Sequence, residues 1–263
     1  MRLVDSHGHV NAERFSDDAD EVVEAAREAG VERILVPGWN VGSSERALEV
    51  VARIPWLDAA VGVHPHDAAK VDDADWSRIL AWASRWEVRA IGETGLDYDR
   101  VFSPIPDQVT NLRRNLALAA DRGKPVILHC RSAAGRRDAQ DALLAELRAL
   151  PPGSVLPVIH SFSGPPDYAR AMLDLGAVLS FSRLVFRRGE EASADAAALA
   201  PIDRVLVETD SPFLTPPGGP RGRNTPEWVR VTAAWVADRQ EVEPEALGEA
   251  LVATYDRTFR AGA

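Results

Sequence analysis

The 263-residue sequence predicts a (β/α)8 barrel, the α/β architecture of TIM-barrel hydrolases, on three observations. Eight short β-branched or aliphatic runs recur along the chain, stretches of helical period separate them, and all six histidines fall at or just beyond the ends of those runs. Strands buried on both faces and alternating with amphipathic helices are the pattern of a parallel sheet, and eight repeats within residues 3–208 are enough to close it. An open doubly wound sheet is the rival arrangement. A barrel of this length normally forms one domain, so a single domain is expected over residues 1–263.

Taken in order, the expected strands are LVDSH (3–7), RILVP (33–37), AAVGV (59–63), RAIGE (89–93), PVILH (125–129), VLPVIH (155–160), AVLSF (177–181) and RVLVE (204–208). After the first comes DADEVVEAAREAG, where Val22, Val23, Ala26 and Ala29 recur at three-to-four spacing and Gly30 closes the helix. The alanine-rich ASADAAALA (192–200) is a helix by propensity. TPPGGPRGRNTP (215–226) lies between the eighth strand and a helix beginning near Glu227, so it reads as a shaped loop and not as a tether between domains. No sequence repeat of the solenoid kind is present.

Bulk properties exclude several classes. The net charge of −10 opposes non-specific adhesion to nucleic acid or to an anionic membrane, so a polyanionic substrate needs a locally positive site. No stretch approaches the roughly 18 apolar residues of a membrane span, and residues 1–10 lack the uninterrupted apolar core of an export signal. Cys130 is the only cysteine, which is compatible with a reducing compartment. A cytoplasmic protein without a membrane partner is expected, and no obligate protein partner is inferred.

VDSHGHVN (4–11) sets His7 and His9 two apart, on one face if the strand persists. His64, His66, His129 and His160 end other strands, and so do Glu93 and Asp210. Parallel α/β folds place their active sites on that rim. Each residue has a plainer role: a packed histidine for His129 or His160, a turn initiator for Asp210. Scattered structural histidines have no reason to share one rim, however, and several neutral imidazoles with one or two carboxylates is the donor set of divalent metals.

Other chemistries fit less well. Ser161 and Ser163 lie in IHSFSGPP, which lacks the GxSxG elbow of serine hydrolases. Cys130 follows His129 directly, so strand alternation turns it toward the helical layer. Carboxylated lysines bridge two metals in many barrel hydrolases, but Lys70 and Lys124 are the only lysines and neither ends a strand. Glu93 remains as the bridging candidate.

The ordered set DSHGH, VGVHPHD, IGETGLDYDR, PVILHCR, HSFSG, VETDSPFLTP and RGRNTP resembles the TatD family of metal-dependent deoxyribonucleases along nearly the whole chain. The resemblance implies phosphodiester hydrolysis with two divalent ions (Mg, Mn or Zn), acting on DNA ends and in some members on RNA. It makes His7, His9 and Asp210 ligands of one metal, His129 and His160 ligands of the second, and Glu93 the carboxylate between. Asn115 stands where the family usually has glutamine, the HCRSAAGRRDAQDALL region is longer than is typical, and ATYDRTF departs from the family's ending. These changes touch the surroundings of the site.

Within that frame Asp210 is a ligand and a candidate to move the proton of the attacking water. His64 is read as a phosphate contact or proton relay, against the plainer role of capping its loop, while His66 is assigned to loop stabilisation. Arg131, Arg223 and Asn224 are the expected phosphate contacts, Tyr98 a packed aromatic or a stacking platform, and Glu208 an orienting partner for a ligand. Two other readings stand beside the nuclease. One is hydrolysis of another ester or amide bond, as by a D-aminoacyl-tRNA deacylase. The other is a metal-binding scaffold without catalysis.

Overall fold

All eight expected runs become strands, each paired in parallel with the next in chain order. In the computed structural model, which describes residues 1–261, they are β1 (Leu3–Asp5), β2 (Val31–Pro37), β3 (Asp58–Val61), β4 (Val88–Asp97), β5 (Val126–Arg131), β6 (Pro157–Ile159), β7 (Val178–Phe181) and β8 (Val205–Val207). The Ser6 amide just past β1 donates to Val207 O at 3.0 Å, joining the last strand to the first. A strand order that never reverses and returns on itself is a barrel, so the open doubly wound alternative is set aside.

The helices around it follow from local sequence. α1 (Ala19–Glu28) buries Val22, Val23 and Ala26 of the stripe its period foretold, while Ala29 is exposed at the helix end, where the chain turns at Gly30. α2 (Val41–Arg53) opens on a capping box in which the Asn40 side chain accepts from the Ser43 amide and Ser43 receives the Asn40 amide in return. α3 (Asp73–Trp82) and α4 (Ile105–Arg122) follow, the second ending on Gly123 in a left-handed cap. α5 (Asp138–Arg148), α6 (Pro166–Asp174) and α7 (Glu191–Leu199) continue the alternation, and α7 is the helix expected from the alanine-rich segment. After the loop at 215–226 a 3-10 turn at Pro226–Trp228 leads into α8 (Val229–Arg239).

Two differences from the sequence reading matter for the site. β1 stops at Asp5, so His7 and His9 sit on the segment after the strand and are brought together by its bend, not by strand alternation. β4 runs on to Asp97, through the glycines of GETGLD. Gly95 allows this: it adopts φ +140°, and a Cβ there would lie 1.9 Å from His129 O on β5. The close approach of the two strands carries Glu93 and His129 to neighbouring positions over the barrel axis.

The core draws Val, Ile, Leu and Ala from all eight strands, with Phe162, Tyr168 and Phe181 beneath the helices. A final helix, α9 (Pro244–Phe259), had no counterpart among the expected elements; it packs on β1, β2 and β8. Cys130 packs against the core, and burial pushes its thiol up to about 12, which agrees with a structural role. Tyr98 packs there too, half-buried. Among the described residues no helix is long and apolar enough to cross a membrane.

Candidate metal centre

Segments following β1, β3, β6 and β8, together with β4 and β5 themselves, converge on one rim. Asp210 adopts φ +53° and its amide donates to His7 O at 2.9 Å, while the His9 amide donates to Ser211 O at 2.7 Å. The buried Asp5 carboxylate ties these two segments: it accepts Thr209 Oγ1 at 2.5 Å, the Thr209 amide at 2.9 Å and the His7 amide at 3.2 Å. Burial dominates its titration and raises it to about 7 against those donors.

Glu93 divides the donor atoms into two groups. Its Oε2 lies 3.4 Å from His7 Nε2 and 3.9 Å from His9 Nε2; Asp210 Oδ1 lies 3.3 Å from His9 Nε2 and 3.9 Å from His7 Nε2. The two imidazole nitrogens are 3.1 Å apart. Its other oxygen, Oε1, lies 3.2 Å from His129 Nδ1, 3.4 Å from His64 Nε2 and 3.7 Å from His160 Nε2. Donor atoms sharing one ion at about 2.1 Å stand roughly 3 to 3.5 Å from one another, and the shorter separations in each group match that spacing while the longest, 3.7 to 3.9 Å, exceed it by a few tenths of an ångström. The described residues include three such clusters: His7, His160 and Asp210; His7, His9 and Glu93; His64, Glu93 and His129.

Hydrogen bonding on the far side of each ring decides which nitrogen offers a lone pair. His129 turns Nε2 to Asp97 Oδ2 at 3.2 Å, leaving Nδ1 free toward Glu93. His160 makes no such hydrogen bond, but its Nδ1 pairs electrostatically with Glu208 Oε1 at 2.7 Å, and its Nε2 faces the centre. A carboxylate partner accepts the ring proton and fixes the tautomer in which the opposite nitrogen is a ligand. His64 is different. Its Nδ1 accepts the His66 amide at 3.0 Å, so the neutral ring carries its proton on Nε2, facing Glu93. Despite its position in a metal-like cluster, His64 is a donor.

The electrostatics agree with a cation site. Burial lowers His7, and lowers His64 to about 4, so both rings are neutral. Burial alone would raise Glu93, but the ring of His64, His160, His7 and His129 packed around it, with His160 held charged, keeps it well below the usual range. Burial opposes the charged form of His160 as well, yet Glu208 and Glu93 prevail and hold it up at about 10, so a cation at its Nε2 competes with a proton. The Nδ1 atoms of His7 and His9 are buried with no hydrogen-bond partner among the described residues. Neutral imidazoles and ionised carboxylates aimed at common points fit divalent ions.

Around this centre opens a cleft of about 410 Å³, bordered by Trp39, His66, Arg100, Arg131, Phe213 and Leu214 among others. Arg131 faces it with Nη1 3.7 Å from Asp97 Oδ2. Two expected phosphate contacts are engaged elsewhere. Arg223 forms a two-toothed pair with Asp18, donates to Arg14 O and lies over the Phe15 ring, fastening the loop after β8 to the segment before α1. Asn224 is buried and donates to Thr209 O and Leu214 O, so it shapes the loop from within.

Asp5 and Asp97 were not singled out from sequence. Asp97 also receives His66 Nε2 at 2.8 Å, so one carboxylate orients a candidate ligand and holds the loop after β3. A period-two reading of GETGLD could have found it, since Glu93, Gly95 and Asp97 share one strand face. Glu208 stands where the sequence put it, against a candidate ligand.

Comparison with known proteins follows the same lines. Residues 4–260 match the family model described as TatD related DNase. A metal-dependent hydrolase of Bacillus subtilis (strain 168), YabD, is 33% identical over 258 residues, 98% of this chain and 99% of its own. The 3′-5′ ssDNA/RNA exonuclease TatD of Erwinia billingiae is 35% identical over 259 residues, 96% of this chain and 97% of its own. The crystal structure of YJJV, a TatD homologue from Escherichia coli K12, superposes with a TM-score of 0.88 at 28% identity over 98% of both chains.

Proposed function

This chain belongs to the TatD related DNase family, and from that premise we propose that two divalent cations, one on each side of Glu93, serve it in cleaving phosphodiesters of single-stranded nucleic acid. Membership makes it a metal-dependent hydrolase. The observation that carries the finer reading is the split at Glu93, whose two oxygens face two separate donor groups.

His7, His9 and Asp210 would hold one cation and His129 and His160 the other, with Glu93 the carboxylate shared by the two donor groups. The mixed nitrogen and carboxylate set suits zinc or manganese, with magnesium as a weaker fit. Such ions supply positive charge for a non-bridging phosphate oxygen and lower the pKa of an attacking water.

The remaining steps belong to the protein. His64 Nε2–H points toward the same space and donates to a phosphate oxygen, stabilising the charge that grows there. Asp210 accepts the proton of the attacking water and returns it to the leaving oxygen. Asp97 and Glu208 keep His129 and His160 in their ligating tautomers. Arg131, with Arg100 beside it on the cleft, supplies the local positive charge that a polyanion needs on a protein of net charge −10.

A relative named as a 3′-5′ ssDNA/RNA exonuclease supports a single strand, DNA or RNA, as the substrate. A cleft of about 410 Å³ admits a nucleotide-sized group. The test is cleavage of 3′- and 5′-labelled DNA and RNA oligonucleotides with metal analysis of the same preparation. His129→Ala and Glu93→Ala are expected to abolish metal-dependent cleavage while circular dichroism stays native. Undiminished cleavage in both variants defeats the reading.

A further inference from the structure

Among the described residues seven large apolar side chains are exposed, and three of them (Val101, Phe102 and Phe213) lie in just two segments, those following β4 and β8, with Ile105 at the start of α4 next to the first. Phe102 is 65% exposed and meets the His66 ring edge-on at 4.7 Å; Phe213 is 50% exposed and meets the His9 ring edge-on at 6.1 Å. His9 belongs to the donor group on the Oε2 side of Glu93. His66 shares Asp97 with His129, on the Oε1 side. The two aromatics therefore flank the metal centre from opposite sides.

The backbone beside each ring is unusual in the same way. Val101, immediately before Phe102, adopts φ +47°, and Leu214, immediately after Phe213, adopts φ +49°. Left-handed conformations are costly for a β-branched or bulky residue and concentrate where function requires a side chain to be presented. Here strain and exposed apolar surface coincide twice: at Phe213 and Leu214, which border the cleft, and at Val101 and Phe102, beside its lining residues Arg100 and His66. Trp39, also against His9, is different: it is half-buried and covered by Arg46.

We infer that Phe102 and Phe213 are stacking platforms for the nucleobases on either side of the scissile phosphate, and so set the preference for an unpaired strand. The inference rests on the nuclease reading above. Bases have apolar faces that stack on phenyl rings regardless of sequence, and only unpaired, splayed bases offer those faces. Arg100 and Arg131, on the same cleft, would contact the backbone between them.

The metal-loaded protein is assayed on a single-stranded oligodeoxynucleotide and on the same strand with its terminal residues made abasic. Wild type is expected to favour the natural strand by about tenfold to hundredfold in kcat/KM, mostly through KM. Phe102→Ala and Phe213→Ala are each expected to reduce that ratio by tenfold or so, the double variant to bring it near one, and Phe→Trp at each position to restore it. A ratio that survives the double alanine variant overturns the inference and leaves the nuclease reading standing. A wild-type protein that cleaves neither strand defeats that reading and the inference with it.

Discussion

His64 Nδ1 accepts the backbone N–H of His66 at 3.0 Å, which leaves the proton of the neutral ring on Nε2, 3.4 Å from Glu93 Oε1. One backbone contact thus separates His64 from the neighbouring His129, whose free Nδ1 lies at 3.2 Å from the same oxygen. His64→Ala should lower kcat by about a hundredfold to a thousandfold, the usual cost of losing a charge-stabilising donor. Its metal stoichiometry, read by plasma mass spectrometry, should match wild type. Loss of a metal equivalent would make His64 a ligand after all.

Glu208 Oε1 lies 2.7 Å from His160 Nδ1 as an ion pair and receives the Ser161 amide at 2.8 Å and Ser161 Oγ at 2.7 Å. Glu208→Gln keeps the volume and removes the charge that fixes the His160 tautomer. Cation affinity should fall about tenfold to hundredfold, measured by competition with a fluorescent chelator. Wild-type affinity in this variant would remove Glu208 from the site's machinery.

Gly95 offers a test of how the fold delivers the site. A methyl group there would meet His129 O, and φ +140° is unfavourable for any other residue. Gly95→Ala should cost about 3 kcal/mol or more in chemical denaturation and disturb metal binding as well, since the same strand contact seats His129. A variant of native stability would show that β4 and β5 can move apart freely.

Chelation separates the barrel from its metals. The core is built from the strands and helices without any donor residue, so stripping the cations should leave the far-ultraviolet circular dichroism unchanged. The melting temperature should rise again as manganese or zinc is returned, because a ligand that binds only the native state at a hundred times its Kd adds about 2.7 kcal/mol. Unfolding on chelation would mean that the metals are structural.

Much of this was legible in the sequence because barrel topology converts order along the chain into convergence in space. His7, His9, His160 and Asp210 follow strands, Glu93 and His129 lie within β4 and β5, and the strands share one direction. What escaped notice depends on partners far away in sequence. Asp5 is defined by Thr209, Asp97 by His129, and Arg223 by its pairing with Asp18 at the other end of the chain. The expected strand at β4 ended at Glu93 because the apolar run stops there, and only the proximity of β5 gives the glycines of GETGLD a purpose. The exposure of Phe102 and Phe213 is likewise a tertiary fact, since each lies in a segment where burial was equally compatible with sequence.

The most direct measurement is anomalous diffraction from a crystal equilibrated with manganese or zinc, recorded on both sides of the metal's absorption edge. Two peaks about 3.5 to 4 Å apart are expected, one beside His7, His9 and Asp210 and one beside His129 and His160, with Glu93 between them. A single peak, or two that Glu93 does not separate, would contradict the account.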